Sequence, residues 1–498
     1  MTTDGPLDAA AELDAEHDVL DSREAGGKVI RGAGARTLAY AGGIVLGLAS
    51  TPVMVRHLGV ADFGRFVTVG SLIFIITGLT EGGLAAIGVR EYSTRDAAGR
   101  DRLVRNLLGM RAVLTVVAVA SAVLFALAAG YDDVMVAGVL ISGVGLGLSN
   151  WFYVYVVPVT AWLRLGWLAL LDLLRQALTS VVIVALVLAG ASLVWFFSAG
   201  PLATAVALVV IWLLVRGRAP GRPAADLDEW RRLLRDSLPY AAALAVSVLY
   251  FRVGVILSSL ISSDAETGYY ALAFRIVEIV SGVPWLLASS AFPVFSRAVG
   301  QDHARFRYAL GRTYEVSLIL GVWVAIAIGL GSPFAVEVIG GDAFEPSVEV
   351  LSVLGIAMIG TFLLACWGHG LLTLRRHYAL LVANLSAFVL GTALAIVLIS
   401  EHGALGAAIA TTVTELWLAV VYLVLLVRVQ ADLRPRLALA GPVAIAGLAA
   451  CAPPLLIGLP SVVSVLLATV VFFGALAAMR QIPPEIAQAL RLPRSARA

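Results

Sequence analysis

Four charged residues interrupt apolar runs that are long enough to cross a membrane: Arg252, Arg275, Glu278 and Glu81. Burying a charge in a membrane helix is expensive, so such residues usually face a cavity or an oppositely charged partner. A guanidinium group presents a planar fork of donors that matches a phosphate. Arg252 and Arg275 therefore predict a binding site for an anionic, phosphate-bearing ligand.

The same side chains also have a structural interpretation. Arg275 and Glu278 are three residues apart, which places them on one face of a helix. The pairs Arg275 with Glu278 and Arg252 with Glu81 would then hold helices together without any ligand. Because Arg252 has no acid nearby in the sequence, a ligand role is favoured for it, and both interpretations stay open for the other three.

Two further titratable residues lie inside apolar runs. Glu415 and His369 could exchange protons in an ion-coupled cycle, since a histidine or a buried carboxyl group changes charge near neutral pH. Hydrogen bonds to neighbouring helices would explain both residues as well.

The elements that would position these residues are membrane helices. Hydrophobic residues make up 60% of the 498 and charged residues only 14%, which is too little polarity to cover a soluble surface. With roughly 20 apolar residues per crossing, the sequence predicts an all-α polytopic membrane protein of about fourteen transmembrane helices. The fifth and sixth, predicted over 176–194 and 196–215, meet at a turn near Gly190.

Basic residues mark one side of the membrane. Nearly all of the 35 Lys and Arg residues fall in every second gap between apolar runs. Short loops rich in Lys and Arg stay cytoplasmic, so we expect a multi-pass protein of the cell membrane with both termini in the cytoplasm. The basic stretches are Arg23–Arg36, Arg90–Arg111, Arg164–Arg175, Arg216–Arg235, Arg297–Arg312, Arg375–Arg376, Arg428–Arg436 and Arg480–Arg497.

Three arginines near the first span have positions that suggest gating. Arg56 and Arg65 flank the Leu58-Gly59 turn on the predicted outer side, where they would contact a ligand or gate, or snorkel to the interface. Arg36, at the inner end of the span, would draw a phosphate to the cytoplasmic mouth or simply anchor the helix.

An internal repeat divides the chain. Ala61–Phe66, ahead of the second span, matches Ala265–Tyr270, ahead of the eighth. Six spans separate the copies, so both have the same orientation, and we expect two pseudo-symmetric six-helix lobes around a central cavity plus two C-terminal helices. The predicted parts are an acidic disordered cytoplasmic tail over 1–30, the N-terminal lobe over 31–215, a cytoplasmic linker with an interfacial helix over 216–236, the C-terminal lobe over 237–436, the last two helices over 437–480 and a cytoplasmic tail over 481–498.

Composition and motifs argue against other functions. The net charge of +2 and the segregation of basic residues by membrane side make nucleic acid a poor partner. Cys366 and Cys451 both lie in apolar runs, so neither a disulfide framework nor a metal site is predicted. No soluble-enzyme motif occurs in the sequence, and we expect no catalytic residue and no cofactor.

The segment Leu58-Gly59-Val60-Ala61-Asp62-Phe63-Gly64-Arg65-Phe66 resembles the pattern between the first two spans of Wzx-type oligosaccharide flippases, in the MOP exporter superfamily. The following Glu81-Gly82-Gly83-Leu84, the pair Arg90-Glu91 and the run Gly403–Ala408 are similar to the same family. The order and spacing of these motifs extend the resemblance over the whole chain.

This resemblance implies a protein that moves polyprenyl-pyrophosphate-linked oligosaccharide units from the cytoplasmic to the outer leaflet of the bacterial inner membrane by alternating access. Such units serve cell-surface polysaccharide biosynthesis. Arg252 and Arg275 would bind the pyrophosphate, with the other buried or outer charges as cavity and gating residues. The bilayer is the second partner, and a polysaccharide polymerase or glycosyltransferases would act beside the protein.

Three other classes of protein are alternatives to an oligosaccharide flippase. A cation-coupled multidrug exporter of the same superfamily would need an acidic interior, whereas the buried charges here are at least as basic as acidic. The resemblance to lipid II flippases is weaker, because their basic residues cluster in the first two spans and span one here has no Arg in its core. For an integral-membrane glycosyltransferase, the outer gap Ser332–Ser347 is too short to hold a catalytic domain.

Overall fold

The computed structural model describes residues 24–81, 83–162, 164–217, 221–299, 302–435 and 437–481. The predicted terminal tails, 1–30 and 481–498, lie almost wholly outside these ranges. Long α-helices account for most of the described chain. Their bounds are α1 Glu24–Glu81, α2 Leu84–Thr94, α3 Ala97–Ala128, α4 Asp133–Ala161, α5 Leu165–Leu188, α6 Leu193–Phe196, α7 Ala199–Val215, α8 Leu227–Ile261, α9 Asp264–Val280, α10 Gly282–Ala298, α11 His303–Ile339, α12 Ser347–Thr373, α13 His377–Val429, α14 Ala440–Ile457 and α15 Ser461–Ala478.

The number of membrane crossings follows from helix length and two kinks. Within the described ranges, ten helical segments are long and apolar enough to span a membrane, and two shorter apolar helices add to them. Two of the ten, Val45–Thr94 and His377–Val429, hold 50 and 53 residues, each enough for two crossings of roughly 20 residues. They bend at Gly59 (φ 72°) and Gly403 (φ 53°), where the left-handed backbone favours glycine. The predicted all-α membrane protein of about fourteen spanning helices is confirmed.

The fifth helix begins earlier than predicted. The turn near Gly190 (φ 64°) is confirmed, but α5 starts at Leu165 and so includes Arg175, which the charge pattern had assigned to a cytoplasmic stretch. The guanidinium carbon of Arg175 lies 5.1 Å from the centroid of the Phe152 ring on α4. The face of an aromatic ring attracts a cation, so the helix accommodates this charge.

The chain divides into two compact units. The first contains Met1–His57 and Leu72–Ala242, and the second contains Leu58–Ser71 and Ala243–Ala498. In the first unit α4 packs against α3 and α7. A Cβ atom on Gly143 of α4 would lie 2.7 Å from Val119 of α3, so the two backbones approach closely through a small residue. Such contacts stabilise helix pairs in lipid, where hydrophobicity does not drive helices together.

In the second unit α12 is the central helix and packs between α11 and α13, with 67% of its most apolar stretch buried. The C-terminal helices α14 and α15 pack on α11, where Trp323 Nε1–H donates to Thr469 Oγ1 at 3.1 Å. The predicted lobe boundaries and the central cavity stay predictions.

The two copies of the sequence repeat meet inside the second unit. A Cβ on Gly64 would lie 2.8 Å from the backbone nitrogen of Gly268, and a Cβ on Gly268 would lie 2.1 Å from the carbonyl oxygen of Val60. Gly64 and Gly268 are the equivalent fourth residues of Ala61–Phe66 and Ala265–Tyr270. Each copy therefore supplies the glycine that lets the other approach.

The linker ends in a helix that is continuous with the seventh span. α8 begins at Leu227, within the stretch predicted to be an interfacial helix, and runs on to Ile261. Its first turns are held by a hydrogen bond of 3.1 Å from Trp230 Nε1–H to Asn106 Oδ1 of α3 and by a 2.6 Å ion pair between Arg95 and Glu229. A position at the membrane interface stays a prediction for this segment.

Candidate functional site

Arg252, Arg275 and Glu278 form a charged triad in the second unit, called here the α8–α9 triad. Arg252, on α8, is buried, and its Nη2 donates to Glu278 Oε1 on α9. Arg275, one turn before Glu278 on α9, donates from Nη1 to Glu278 Oε2 at 2.9 Å. A single carboxylate thus binds two guanidinium groups, one through each oxygen.

The triad carries excess positive charge and is open on one side. Two guanidinium groups share one carboxylate, which gives the three side chains together a net charge of +1. The side chain of Arg275 is 43% exposed, against 8% for Arg252. The rings of Phe251 and Phe274 lie 5.3 and 5.4 Å from the Arg252 guanidinium carbon and stabilise that cation. An arriving anion would therefore meet Arg275 first.

A second buried group, called here the α1–α3 network, lies in the first unit. Arg111 on α3 is 1% exposed, and its Nη1 donates to Glu81 Oε2 at 2.9 Å and to Asn150 Oδ1 at 3.2 Å. Asn150 Nδ2 donates in turn to Thr115 Oγ1 at 2.8 Å. Glu81 is the last residue of α1, where the helix dipole disfavours a negative charge, and Arg111 offsets that cost.

Arg111 is a residue that sequence reasoning missed. It was counted in the basic stretch Arg90–Arg111 and also fell inside the third predicted span, over 107–130, but it was given no role, whereas the structure buries it inside α3 as an ion-pair partner. The available signal was the apolar segment Leu107–Met110 ahead of it, which already belongs to a span. As a result, Glu81 pairs with Arg111, and the suggested pairing of Arg252 with Glu81 is replaced by one with Glu278. The suggested pair of Arg275 with Glu278 is present.

The three arginines near the first span have different surroundings. Arg65 Nη2 lies 2.7 Å from Asp264 Oδ2 and Nη1 lies 3.3 Å from Asp62 Oδ1, so it joins the first copy of the repeat to the residue that precedes the second copy. Arg56 is exposed. The backbone of Arg36 belongs to α1, and its side chain lies outside the described residues. Gating by any of the three stays a prediction.

Glu415 lines a small, partly open cavity of the second unit. It is buried, and Thr361 Oγ1 donates to its Oε2 at 3.3 Å. The cavity measures about 40 Å³, the space open to the centre of a water molecule. Its polar lining residues are Tyr250, Ser281, Thr361, Thr411, Thr414 and Glu415. This volume holds a few waters, which suits exchange of a proton or binding of a small cation.

His369, on α12, is buried against two aromatic rings of α10. Its ring centroid lies 5.4 Å from that of Trp285 and 5.7 Å from that of Phe292. Nδ1 is 2.8 Å from the carbonyl oxygen of Ala365 and therefore carries a hydrogen. In the neutral ring Nε2 is then a hydrogen-bond acceptor. The ion-coupling roles predicted for His369 and Glu415 stay predictions.

A protein-family model matches more than half of the chain. Residues 29–299 match the model described as "Polysaccharide biosynthesis protein". The matched region contains the ion-paired residues of both the α1–α3 network and the α8–α9 triad. No curated protein sequence matches the chain.

Solved structures of membrane transporters have a similar fold. The lipid II flippase MurJ, in an inward closed conformation, aligns with a TM-score of 0.74 at 12% identity over 90% of this chain and 98% of its own. An inward-facing multidrug resistance MATE family transporter of the MOP superfamily aligns with a TM-score of 0.64 at 16% identity over 78% and 95%. A MOP superfamily transporter from Pyrococcus furiosus aligns with a TM-score of 0.54 at 16% identity over 84% and 98%. At these identities the likeness establishes a common fold.

Proposed function

The chain belongs to the polysaccharide biosynthesis protein family, and from this membership we propose that it is a flippase for polyprenyl-pyrophosphate-linked oligosaccharides. The proposed direction is from the cytoplasmic to the outer leaflet of the bacterial inner membrane. The resemblance to the MOP exporter superfamily is confirmed by the family match and the common fold. The Wzx-type substrate and the alternating-access cycle are parts of the proposal.

The observation that carries the proposal is the α8–α9 triad. Two guanidinium groups and one carboxylate give the triad a net positive charge within membrane-spanning helices, where charge is costly. A pyrophosphate group that reaches the exposed Arg275 competes with Glu278 for its donors, and its second phosphoryl group can extend toward Arg252. The anionic headgroup thereby supplies the negative charge that the triad lacks, while the polyprenyl chain stays in the bilayer.

The proposed coupling residue is Glu415, with His369 as the second candidate. A carboxyl group at a cavity that holds a few waters can exchange a proton or bind a small cation as the transporter cycles. Glu415→Gln keeps the shape of the side chain and removes its charge. We expect this variant to bind the lipid substrate normally but to transport it at a rate that no longer responds to an imposed proton or sodium gradient. An unchanged gradient response would remove Glu415 from the cycle.

The flippase proposal is tested in vesicles that contain the purified protein and a polyprenyl pyrophosphate carrying a labelled oligosaccharide. A glycosidase that does not cross the membrane reports how much label reaches the opposite leaflet. We expect transport by the natural chain and at least a tenfold loss in Arg252→Ala. Arg312→Ala is the matched control, because Arg312 and Glu315 form a similar 2.6 Å ion pair on α11, outside the triad.

The outcomes separate the candidate functions. Normal transport by Arg252→Ala, with folding confirmed by gel filtration, would contradict the pyrophosphate role of the triad. Transport of fluorescent organic cations without any glycolipid movement would identify a multidrug exporter instead. Transport of lipid II alone, among the pyrophosphate-linked lipids offered, would identify a lipid II flippase.

A further inference from the structure

One face of the eighth span continues away from the triad with aromatic and serine side chains. The helices α9 and α10 form a single apolar run, Asp264–Ala298, with a turn at Ser281. The residues of this face are Arg275, Glu278, Gly282, Trp285, Ser289, Phe292 and Ser296. They recur at alternating steps of three and four residues, which is the spacing of one helix face.

A neighbouring face of α10 has a different composition. Val283, Leu286 and Val294 are 50, 46 and 41% exposed, and branched aliphatic side chains are the ones that lipid favours. The face that contains Arg275, Glu278 and Trp285 is called here the Trp285 face. Turning it to lipid would place the charges of Arg275 and Glu278 in hydrocarbon at a high cost. The two faces therefore have different surroundings, and the Trp285 face is the one suited to a polar ligand.

Two aromatic rings on the Trp285 face and one histidine beside them form a compact cluster. Trp285 and Phe292 are 52 and 37% exposed, and both rings also contact the buried His369. Because Nδ1–H of His369 is used by the Ala365 carbonyl, Nε2 carries the lone pair of the neutral ring. Among the residues that the structure describes, none hydrogen-bonds to this Nε2. The cluster thus combines two exposed aromatic rings with a ring nitrogen that accepts a hydrogen bond when the histidine is neutral.

This combination fits a sugar ring. The C–H groups of a pyranose form an apolar face with partial positive charge, which stacks on the negative face of an aromatic ring. The hydroxyl groups at the edge of the sugar are donors for an acceptor such as Nε2. Neither a carboxylate nor a guanidinium or ammonium group belongs to the cluster, so its stacking rings recognise the sugar and leave the charged headgroup to the triad.

We propose that Trp285, Phe292 and His369 form a saccharide subsite for the sugars attached to the pyrophosphate. The inference rests on the proposed function and extends it, because it divides ligand recognition between two places on one helix. Trp285 lies ten residues beyond Arg275, or about 15 Å along the helix axis. An extended oligosaccharide would bind the triad through its pyrophosphate and the aromatic cluster through its sugars.

The subsite is tested by binding to the full chain in nanodiscs, with two probes. One probe is bare polyprenyl pyrophosphate, and the other is the same lipid carrying an N-acetylglucosamine disaccharide. We expect the natural chain to bind the glycosylated lipid more tightly than the bare one. In Trp285→Ala this gain should shrink by about tenfold, the upper range for an aromatic stacking contact. Leu286→Ala, its similarly exposed neighbour on the aliphatic face, should keep the gain.

Each result has one meaning. If Trp285→Ala keeps the gain, or if the natural chain binds both lipids equally, the subsite is refuted and the pyrophosphate proposal stands. If Trp285→Ala weakens the bare lipid as strongly as the glycosylated one, Trp285 has only a structural role and the subsite is again refuted. If the natural chain binds neither lipid, the proposed function fails and the subsite fails with it. Trp285→Phe should retain most of the gain, which separates loss of an aromatic face from loss of packing.

Discussion

The two buried charge groups are built from the same residue types and differ in balance and exposure. The α1–α3 network sets one arginine against one glutamate, adds Asn150 and Thr115 as hydrogen-bond partners, and leaves Arg111 only 1% exposed. The α8–α9 triad sets two arginines against one glutamate and leaves Arg275 43% exposed. A balanced pair is what helix packing requires, whereas the net positive charge of the triad is what leads us to propose that an anion from outside completes it.

This difference indicates that the number of ion-pair partners, more than the burial of any single charge, decides what the loss of one arginine affects. Removing Arg111 leaves Glu81 without the guanidinium that it contacts in the described part of the chain. Removing Arg252 leaves Glu278 with Arg275 at 2.9 Å. Losing one partner of a buried pair is costly because an unpaired charge remains. The first loss should therefore affect folding, and the second should affect ligand binding.

The largest expected effect is on stability in the first unit. Arg111→Ala should lower the free energy of unfolding by about 3 kcal/mol, because Glu81 keeps its charge at a helix C-terminus and loses its partner. Unfolding of the purified protein by SDS titration measures this loss. The double variant Arg111→Met with Glu81→Gln removes both charges and should be more stable than Arg111→Ala. Equal stability of Arg111→Ala and the natural chain would show that the network does not hold these helices.

The next effect is on binding in the second unit. Arg252→Ala should raise the Kd for polyprenyl pyrophosphate by about 50-fold, as expected for the loss of a charged hydrogen bond. Its free energy of unfolding should fall by only about 1 kcal/mol, because Glu278 retains Arg275. Measuring both quantities on the same preparation tests the contrast. A loss of stability as large as that of Arg111→Ala, with an unchanged Kd, would make the triad a second structural network.

A smaller effect, in the opposite direction, is expected from Glu278→Gln. The substitution removes the carboxylate that competes with the ligand for both guanidinium groups. We expect binding of polyprenyl pyrophosphate to tighten by about fivefold, a modest share of the charge interaction in partly exposed surroundings. Glu315→Gln, in the ion pair with Arg312 on α11, is the control and should leave the Kd unchanged. Weaker binding in Glu278→Gln would mean that the carboxylate positions the arginines and does not compete with the ligand.

The contrast between the two groups was only half predictable from the sequence. Hydropathy gave the spans and the Gly190 turn, and the three-residue spacing gave the Arg275 and Glu278 pair, because both depend on local periodicity. The partner of Arg252 lies 26 residues away on another helix, and the partner of Glu81 lies 30 residues away. Those pairings depend on how helices pack, which no local spacing specifies. Arg111 was given no role for the same reason: it lay within the third predicted span, but its partner Glu81 is on another helix.

The smallest effect is expected where a charge pair is exposed. His303 Nε2–H donates to Asp432 Oδ2 at 2.5 Å at the start of α11, and both side chains are more than 40% exposed. This hydrogen bond, with the nearby charges of His303 and Arg307, lowers the pKa of Asp432 from its usual value. A carboxyl group with a lowered pKa in the folded state stabilises the fold above its unfolded pKa of about 3.9 and loses that contribution as the pH falls through the lowered value.

The melting temperature of Asp432→Asn should therefore be below that of the natural chain between pH 5 and pH 6, by less than about 2 °C, because solvent screens exposed pairs. The difference should shrink as the pH falls below about 3.9 and vanish once the pH is below the lowered pKa of Asp432, where the carboxyl group is protonated in both states. Thermal shift measurements over this range give the comparison directly. Asp302→Asn is unsuitable as a control, because the Asp302 side chain caps α11. A shift as large as that of Arg111→Ala would mean that burial is not what separates costly pairs from inexpensive ones, and the contrast drawn between the two membrane groups would lose its physical basis.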